Sequence, residues 1–245
     1  MRPANDRPRP TSRRPHGDST QALPAAERHG AENNSQPVTV NIDSIAPAPG
    51  TRRRLGLYGG SFDPVHIGHL LVAQAALEEL GLDRIVFIPA AQSPFKPDSA
   101  PAPASQRLRW LRMALAGWTN ADVDDLETRR AGTSYSIDTV RKFAARHPGT
   151  ELFWLIGTDH VPTLPQWRDA NELARLVTFV VIPRPGCTRA ELPAPYRLRT
   201  LRGWPLAVSS SELRGRIAAG QTIAHLVPPG IAEAIAGDRA YPRPD

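Results

Sequence analysis

The chain has 245 residues, 40% of them hydrophobic and 22% charged, with a formal net charge of +6. That is enough apolar material for one good core or two small ones, and no stretch approaches the roughly 18 consecutive apolar residues of a membrane helix. The charge does not mark a nucleic-acid binder, because residues 1–54 hold nine Arg against five acids and leave only +2 on the rest, without a dense basic stripe.

Residues 1–52 read as a Pro- and Arg-rich N-terminal extension without fixed structure. Eight of the first 50 residues are Pro and none is aromatic, so the segment buries too little apolar surface to offset its ordering entropy. It has no apolar h-region of a secretory signal, and its scattered acids and prolines argue against a targeting peptide. At Arg54 the character changes. Leu55–Gly60 reads as a short buried strand ending in glycines. His66–Leu80 follows with apolar residues at helical spacing and Gly81 as its stop. Arg84–Pro89 is a second buried strand, residues 90–103 a Pro-rich loop, and Ser105 the expected cap of a helix running to about Gly117. Ala121–Leu126 is an expected strand, Ser136–His147 a helix and Glu151–Ile156 a strand. A helix ends over Glu172–Arg175, and Leu176–Ile182 is the next strand. The single cysteine, Cys187, sits in a loop after Arg-Pro-Gly. It excludes a disulfide within the chain, fits a reducing cytoplasm, and reads as an incidental thiol. Leu206–Val208 is short and extended, and Ser211–Ala219 and Ile231–Ala236 are helices. Strands apolar throughout, alternating with helices, mean an α/β fold: one domain with a doubly wound parallel sheet and helices on both faces.

Two segments carry chemistry. In Gly59–His69 a strand ends in two glycines, a turn follows and a helix begins. Asp63 stands where an N-cap belongs and Pro64 where the first helical residue belongs. The helix would then aim unpaired N–H groups and partial positive charge at the loop, which suits phosphate. His66 and His69, three apart, share a face and can donate to phosphate oxygens. Gly68 between them leaves room for a nucleotide. In Val208–Arg214 an extended piece precedes a helix capped by serines. Ser210, Ser211 and Arg214 can hold and neutralise phosphates.

Gly60-Ser61-Phe62-Asp63-Pro64-Val65-His66-Ile67-Gly68-His69 resembles the signature of the nucleotidyltransferase superfamily, and Ser210, Ser211 and Arg214 resemble its second motif. His66–His69 also spells the class I aminoacyl-tRNA synthetase signature, but this chain lacks the size, tRNA-binding domains and Lys-Met-Ser-Lys-Ser-like loop of a synthetase. Further stretches resemble the bacterial nicotinate-nucleotide adenylyltransferases. These are Gly157-Thr158-Asp159 at a strand end, Leu164-Pro165-Gln166-Trp167-Arg168, and Ser134-Tyr135-Ser136-Ile137-Asp138-Thr139. One departure is visible: many relatives read Pro-Pro-His-Lys where this chain has Ser93-Pro94-Phe95-Lys96.

The resemblance covers about Arg54 to Tyr241. It implies a Rossmann-like adenylyltransferase domain over residues 53–245, in the cytoplasm, joining the AMP of ATP to nicotinate mononucleotide with Mg²⁺ carried on ATP. His66, His69, Arg214 and Lys96 would be catalytic. Gly59, Gly60, Ser61, Phe62, Gly68, Gly157, Asp159, Ser210 and Ser211 would bind ATP. Tyr135, Ser136, Trp167 and Arg168 would hold the nicotinate, with no metal site in the protein and neither nucleic acid nor membrane as partner.

From the composition alone, deletion of residues 1–50 should leave activity and melting temperature nearly unchanged. Differential scanning calorimetry of the truncated chain checks this, and a fall of several degrees would show that the extension packs on the body.

Overall fold

The computed structural model describes residues 52–95, 100–130, 132–183, 192–204 and 206–241. Residues 1–51, Lys96 and Cys187 lie outside them. Six strands form one parallel sheet in the order β3-β2-β1-β4-β5-β6. They are β1 (Arg54–Gly60), β2 (Arg84–Pro89), β3 (Ala121–Val123), β4 (Glu151–Gly157), β5 (Val177–Ile182) and β6 (Leu198–Thr200). The helices are α1 (Ile67–Leu80), α2 (Ala104–Ala114), α3 (Leu126–Arg130), α4 (Ser136–Arg146), α5 (Ala170–Leu176), α6 (Ser210–Ala218) and α7 (Ile231–Asp238). A 3₁₀ helix, Thr158–Gln166, follows β4.

Alternation along the strands divides the core in two. Leu55, Leu57, Val86, Ile88, Trp154 and Phe179 pack with Ile137, Val140 and Phe143 of α4 and Leu173 of α5. Tyr58, Ile85, Phe87, Phe153, Leu155 and Val180 face the other way, onto α1, α2, α6 and α7. This is the expected doubly wound arrangement. The strand order reverses between β1 and β4. α1 follows β1 on one face, and the 3₁₀ helix follows β4 on the other. The crevice beyond the carboxyl ends of these two strands is the place where such sheets bind ligands.

Several boundaries differ from the sequence expectation. α1 starts at Ile67 rather than Pro64, with His66 as N-cap, because the Asp63 carboxylate is engaged elsewhere. Ser105 lies inside the first turn of α2, whose N-cap is Pro103, and the helix stops at Ala114. β3 ends at Val123 because the buried Asp124 carboxylate accepts from Leu126 N–H at 2.8 Å and from Arg146 at 2.9 Å, turning the chain into α3. Leu206–Val208 joins no strand. The sixth strand is Leu198–Thr200 instead, mostly exposed and three residues long, with no apolar run to announce it. The 3₁₀ helix contains Pro162 and Pro165, which read as breakers in a helix of α type.

Candidate active site

At the end of β1 the backbone crowds its own side chains. A Cβ on Gly59 would lie 3.0 Å from the Trp154 ring, and one on Gly60 3.1 Å from the Phe62 ring. Phe62 adopts φ 46° and is 1% exposed. Its ring meets His69 edge-on at 4.9 Å. The Phe62 side chain therefore supports His69 from below, so that a nucleotide could meet residue 62 only through its backbone.

Asp63, 5% exposed, is not a helix cap. Its Oδ1 accepts from Ala102 N–H at 3.0 Å and from the Tyr241 hydroxyl at 2.7 Å. Arg214 Nη1 donates to its backbone carbonyl at 2.6 Å and lies 3.6 Å from Oδ2. Nearby, the fully buried Arg107 donates to the carbonyls of Ala102 at 2.9 Å and Ser61 at 2.7 Å. Desolvation lowers the Arg107 pKa, and the adjacent Asp63 opposes that. Burial, the hydrogen bond to Asp63 and its charge all keep the Tyr241 phenol protonated. Tyr241 and Arg107 have no motif around them that would have revealed this role.

The two imidazoles stack, with centroids 3.7 Å apart at 28°. His66 N–H donates to His69 Nδ1 at 3.1 Å, so a neutral His69 carries its proton on Nε2. His66 is 6% exposed, and burial lowers its pKa to about 4. Its Nδ1 is buried without a hydrogen-bond partner.

The second segment docks directly on the first. A Cβ on Gly68 would fall 2.9 Å from Val208 Cγ1 and 3.0 Å from His66 Nδ1. The room left by Gly68 is thus filled by the second segment and the His66 ring, not held open. Ser209 caps α6, accepting from Glu212 N–H at 3.2 Å. The Ser210 hydroxyl donates to the Pro64 carbonyl at 2.9 Å, which ties α6 to the loop between β1 and α1. Ser211 is exposed and accepts from Arg214 Nη2 at 3.1 Å. His66, His69, Ser211 and Arg214 thus meet around the start of α1.

Beyond β4, Thr158 is buried, donating to the Ile182 carbonyl at 2.8 Å, and Asp159 is exposed. Trp167 is half-buried and shares an aromatic cluster with Phe95 (5.4 Å) and His160 (6.1 Å). Sequence reading missed His160 and treated Phe95 only as a departure. Arg168 stacks over Tyr135 at 4.8 Å, which brings together two expected nicotinate residues. Tyr135 is the N-cap of α4, and no side chain caps that end. Ser136 is the first residue of the helix.

A family model described as cytidylyltransferase-like matches residues 57–216. A probable nicotinate-nucleotide adenylyltransferase of Opitutus terrae is 44% identical over 71% of this chain and 91% of its own length. The chain belongs to this cytidylyltransferase-like family, in its nicotinate-nucleotide adenylyltransferase branch. A second such relative, from Synechococcus sp., is 38% identical and spans 80% of this chain and 99% of its own. The fold is also that of the Plasmodium falciparum nicotinic acid mononucleotide adenylyltransferase solved with NaAD. Its TM-score is 0.65 at 19% identity, covering 78% of this chain and 98% of that one. Among the described residues, no helix is long and apolar enough to cross a membrane.

The buried His66 makes stability depend on pH. Its pKa is 6.5 ordinarily and about 4 in the fold. Between those values the unfolded chain takes up a proton that the folded chain refuses. The stability present above pH 6.5 is therefore lost as pH falls towards 4, by on the order of 3 kcal/mol. Urea midpoints across this range should fall less steeply for His66→Gln than for wild type. Parallel curves would show that His66 is not held neutral by the fold.

Proposed function

We propose that this chain transfers AMP from ATP to nicotinate mononucleotide, giving nicotinate adenine dinucleotide and pyrophosphate, a step of NAD biosynthesis carried out in the cytoplasm. The observation that carries the reading is the docking of α6 on the start of α1 through Gly68, Val208, Ser210 and Pro64, beside the sheet's switch point. Family membership supports the same reading.

In this reading the 5′-phosphate of nicotinate mononucleotide attacks the α-phosphorus of ATP in line. The new O–P bond forms as the bond to the β-phosphate oxygen breaks, and pyrophosphate leaves. The attacking group is already an anion, so no protein base is needed. Catalysis is positioning and charge stabilisation. His69 donates from Nε2 to the transferring phosphate, where a neutral imidazole serves as a hydrogen-bond donor. His66 sets that tautomer through its backbone and shields it with its ring. Arg214, aided by Ser211 and the free N–H groups at the start of α6, neutralises the departing pyrophosphate. Lys96, by resemblance, assists from the loop after β2.

The backbone of Gly59, Gly60, Ser61 and Phe62, with Gly68, lines the ATP side, and Gly157 and Asp159 meet the adenosine. Mg²⁺ enters with ATP, where it offsets phosphate charge. Trp167 stacks on the pyridine ring, with His160 and Phe95 beside it. The amides around Tyr135, Ser136 and Arg168 receive the carboxylate.

Replacing His69 by Ala should lower kcat by roughly 10² to 10³, far more than it raises KM for ATP, since it removes a donor that acts in the transition state. Pyrophosphate-release kinetics read this directly, and a variant within about threefold of wild type would sink the assignment.

The acceptor preference follows from the amides. A carboxylate accepts from every N–H aimed at it, whereas an amide turns its own NH₂ towards one of them. An unsatisfied buried donor costs about 1–3 kcal/mol, and about 1.4 kcal/mol is tenfold. The chain should therefore favour nicotinate over nicotinamide mononucleotide by about ten- to a hundredfold in kcat/KM. Trp167→Ala should weaken both acceptors without inverting their order. Equal efficiency on the two would leave the superfamily intact and reject the nicotinate reading.

A further inference from the structure

We propose that Glu127 is a positioning residue for the acceptor. Its buried carboxyl grips Ser134 and Thr139 on either side of Tyr135–Ser136 and so holds in register the amides that receive the acceptor's carboxylate. The inference rests on the acceptor reading above.

Glu127 lies on the short α3 and is 3% exposed. Thr139, fully buried in the first turns of α4, donates to its Oε1 at 2.6 Å. Ser134, 8% exposed, interacts with the same carboxyl and opposes the rise in its pKa. Ser134 is itself tied to the loop after β2: its Oγ accepts from Ala91 N–H at 3.0 Å, and its N–H donates to the Gln92 carbonyl at 2.9 Å. One carboxyl thus links α3, the segment before α4, the first turns of α4 and, through Ser134, the loop that leads to Phe95.

This grip is not needed to hold the body of α4. Ile137, Val140 and Phe143 already bury that helix in the core, and Arg146 at its far end pairs with Asp124. The polar contacts of Glu127 act only where the chain enters the helix, which is where the uncapped amides lie. Burying a carboxyl costs stability unless it is hydrogen-bonded, so the site is an expensive way to secure a helix and an effective way to fix two residues between two hydroxyls. Burial pushes the Glu127 carboxyl pKa up, against the pull of Thr139, Ser134 and Arg130.

The test uses the full chain with Glu127→Ala, Glu127→Gln and Thr139→Val. For each, kcat and KM are measured with nicotinate mononucleotide, nicotinamide mononucleotide and ATP. Glu127→Ala should raise KM for nicotinate mononucleotide about tenfold or more and shrink the preference between acceptors by a similar factor, with KM for ATP within about twofold. Glu127→Gln keeps an acceptor oxygen for Thr139 and should recover most of the preference. Thr139→Val, losing one of the two hydroxyls, should fall between and carries the test if Glu127→Ala does not fold. A merely structural Glu127 would lower the melting temperature and leave the acceptor ratio unchanged, and that result overturns the proposal. A wild-type chain without any nicotinate preference would instead overturn the acceptor reading on which it stands.

Discussion

The buried carboxylate of Asp63 is the interaction on which the arrangement of the site depends. A charge held at 5% exposure needs partners, and each partner comes from a distant part of the chain. Ala102 comes from the approach to α2, Tyr241 from beyond α7, and Arg214 from α6. Satisfying one side chain therefore draws three segments onto the loop between β1 and α1. The same loop carries His66 and His69. Arg107 extends the network beneath them by holding the carbonyls of Ser61 and Ala102.

Close approach then does what charge alone could not. Gly68 lets Val208 and the His66 ring come within a distance that a methyl group would forbid. The starts of α1 and α6 are thereby brought together, with the Ile67 N–H donating to the Leu226 carbonyl at 3.1 Å and the Glu212 N–H to the Ser209 hydroxyl at 3.2 Å. His66 is too buried to be charged near neutral pH, and the hydrogen bond from its backbone selects the tautomer of His69. The positive charge of the site comes from Arg214 rather than from the imidazoles. In the proposed reaction, histidine donates and arginine neutralises.

The proposed acceptor side is built from the other face of the sheet. Tyr135, Trp167 and Arg168 belong to the layer of α4, α5 and the 3₁₀ helix, and both Tyr135 and Trp167 pack on that face's core. The two halves of the proposed reaction thus rest on opposite layers and meet beyond the ends of β1 and β4. That is the consequence of a strand order that reverses between them.

Local chemistry was enough to announce much of this. The apolar runs at 84–89, 151–156 and 176–182, the glycine at 81 and the spacing in Ile67–Leu80 specify elements whose own residues bury them, so the parallel sheet was legible without coordinates. The two phosphate-type segments were legible because each joins a strand or extended piece to a helix start. What stayed hidden depends on contacts between segments far apart in the chain. Asp63 has the local look of a helix cap, and only Ala102, Tyr241 and Arg214 decide that it is a hub. Ser210 has the local look of a helix-start hydroxyl, and only the structure shows that it donates to the Pro64 carbonyl. Leu198–Thr200 has no apolar signal because an edge strand borrows its order from the neighbour it pairs with. Sequence determines which groups are available and which local shapes they favour. Tertiary packing decides which partner each buried polar group receives, because a buried group must be satisfied and its nearest candidate in space is seldom its nearest in sequence.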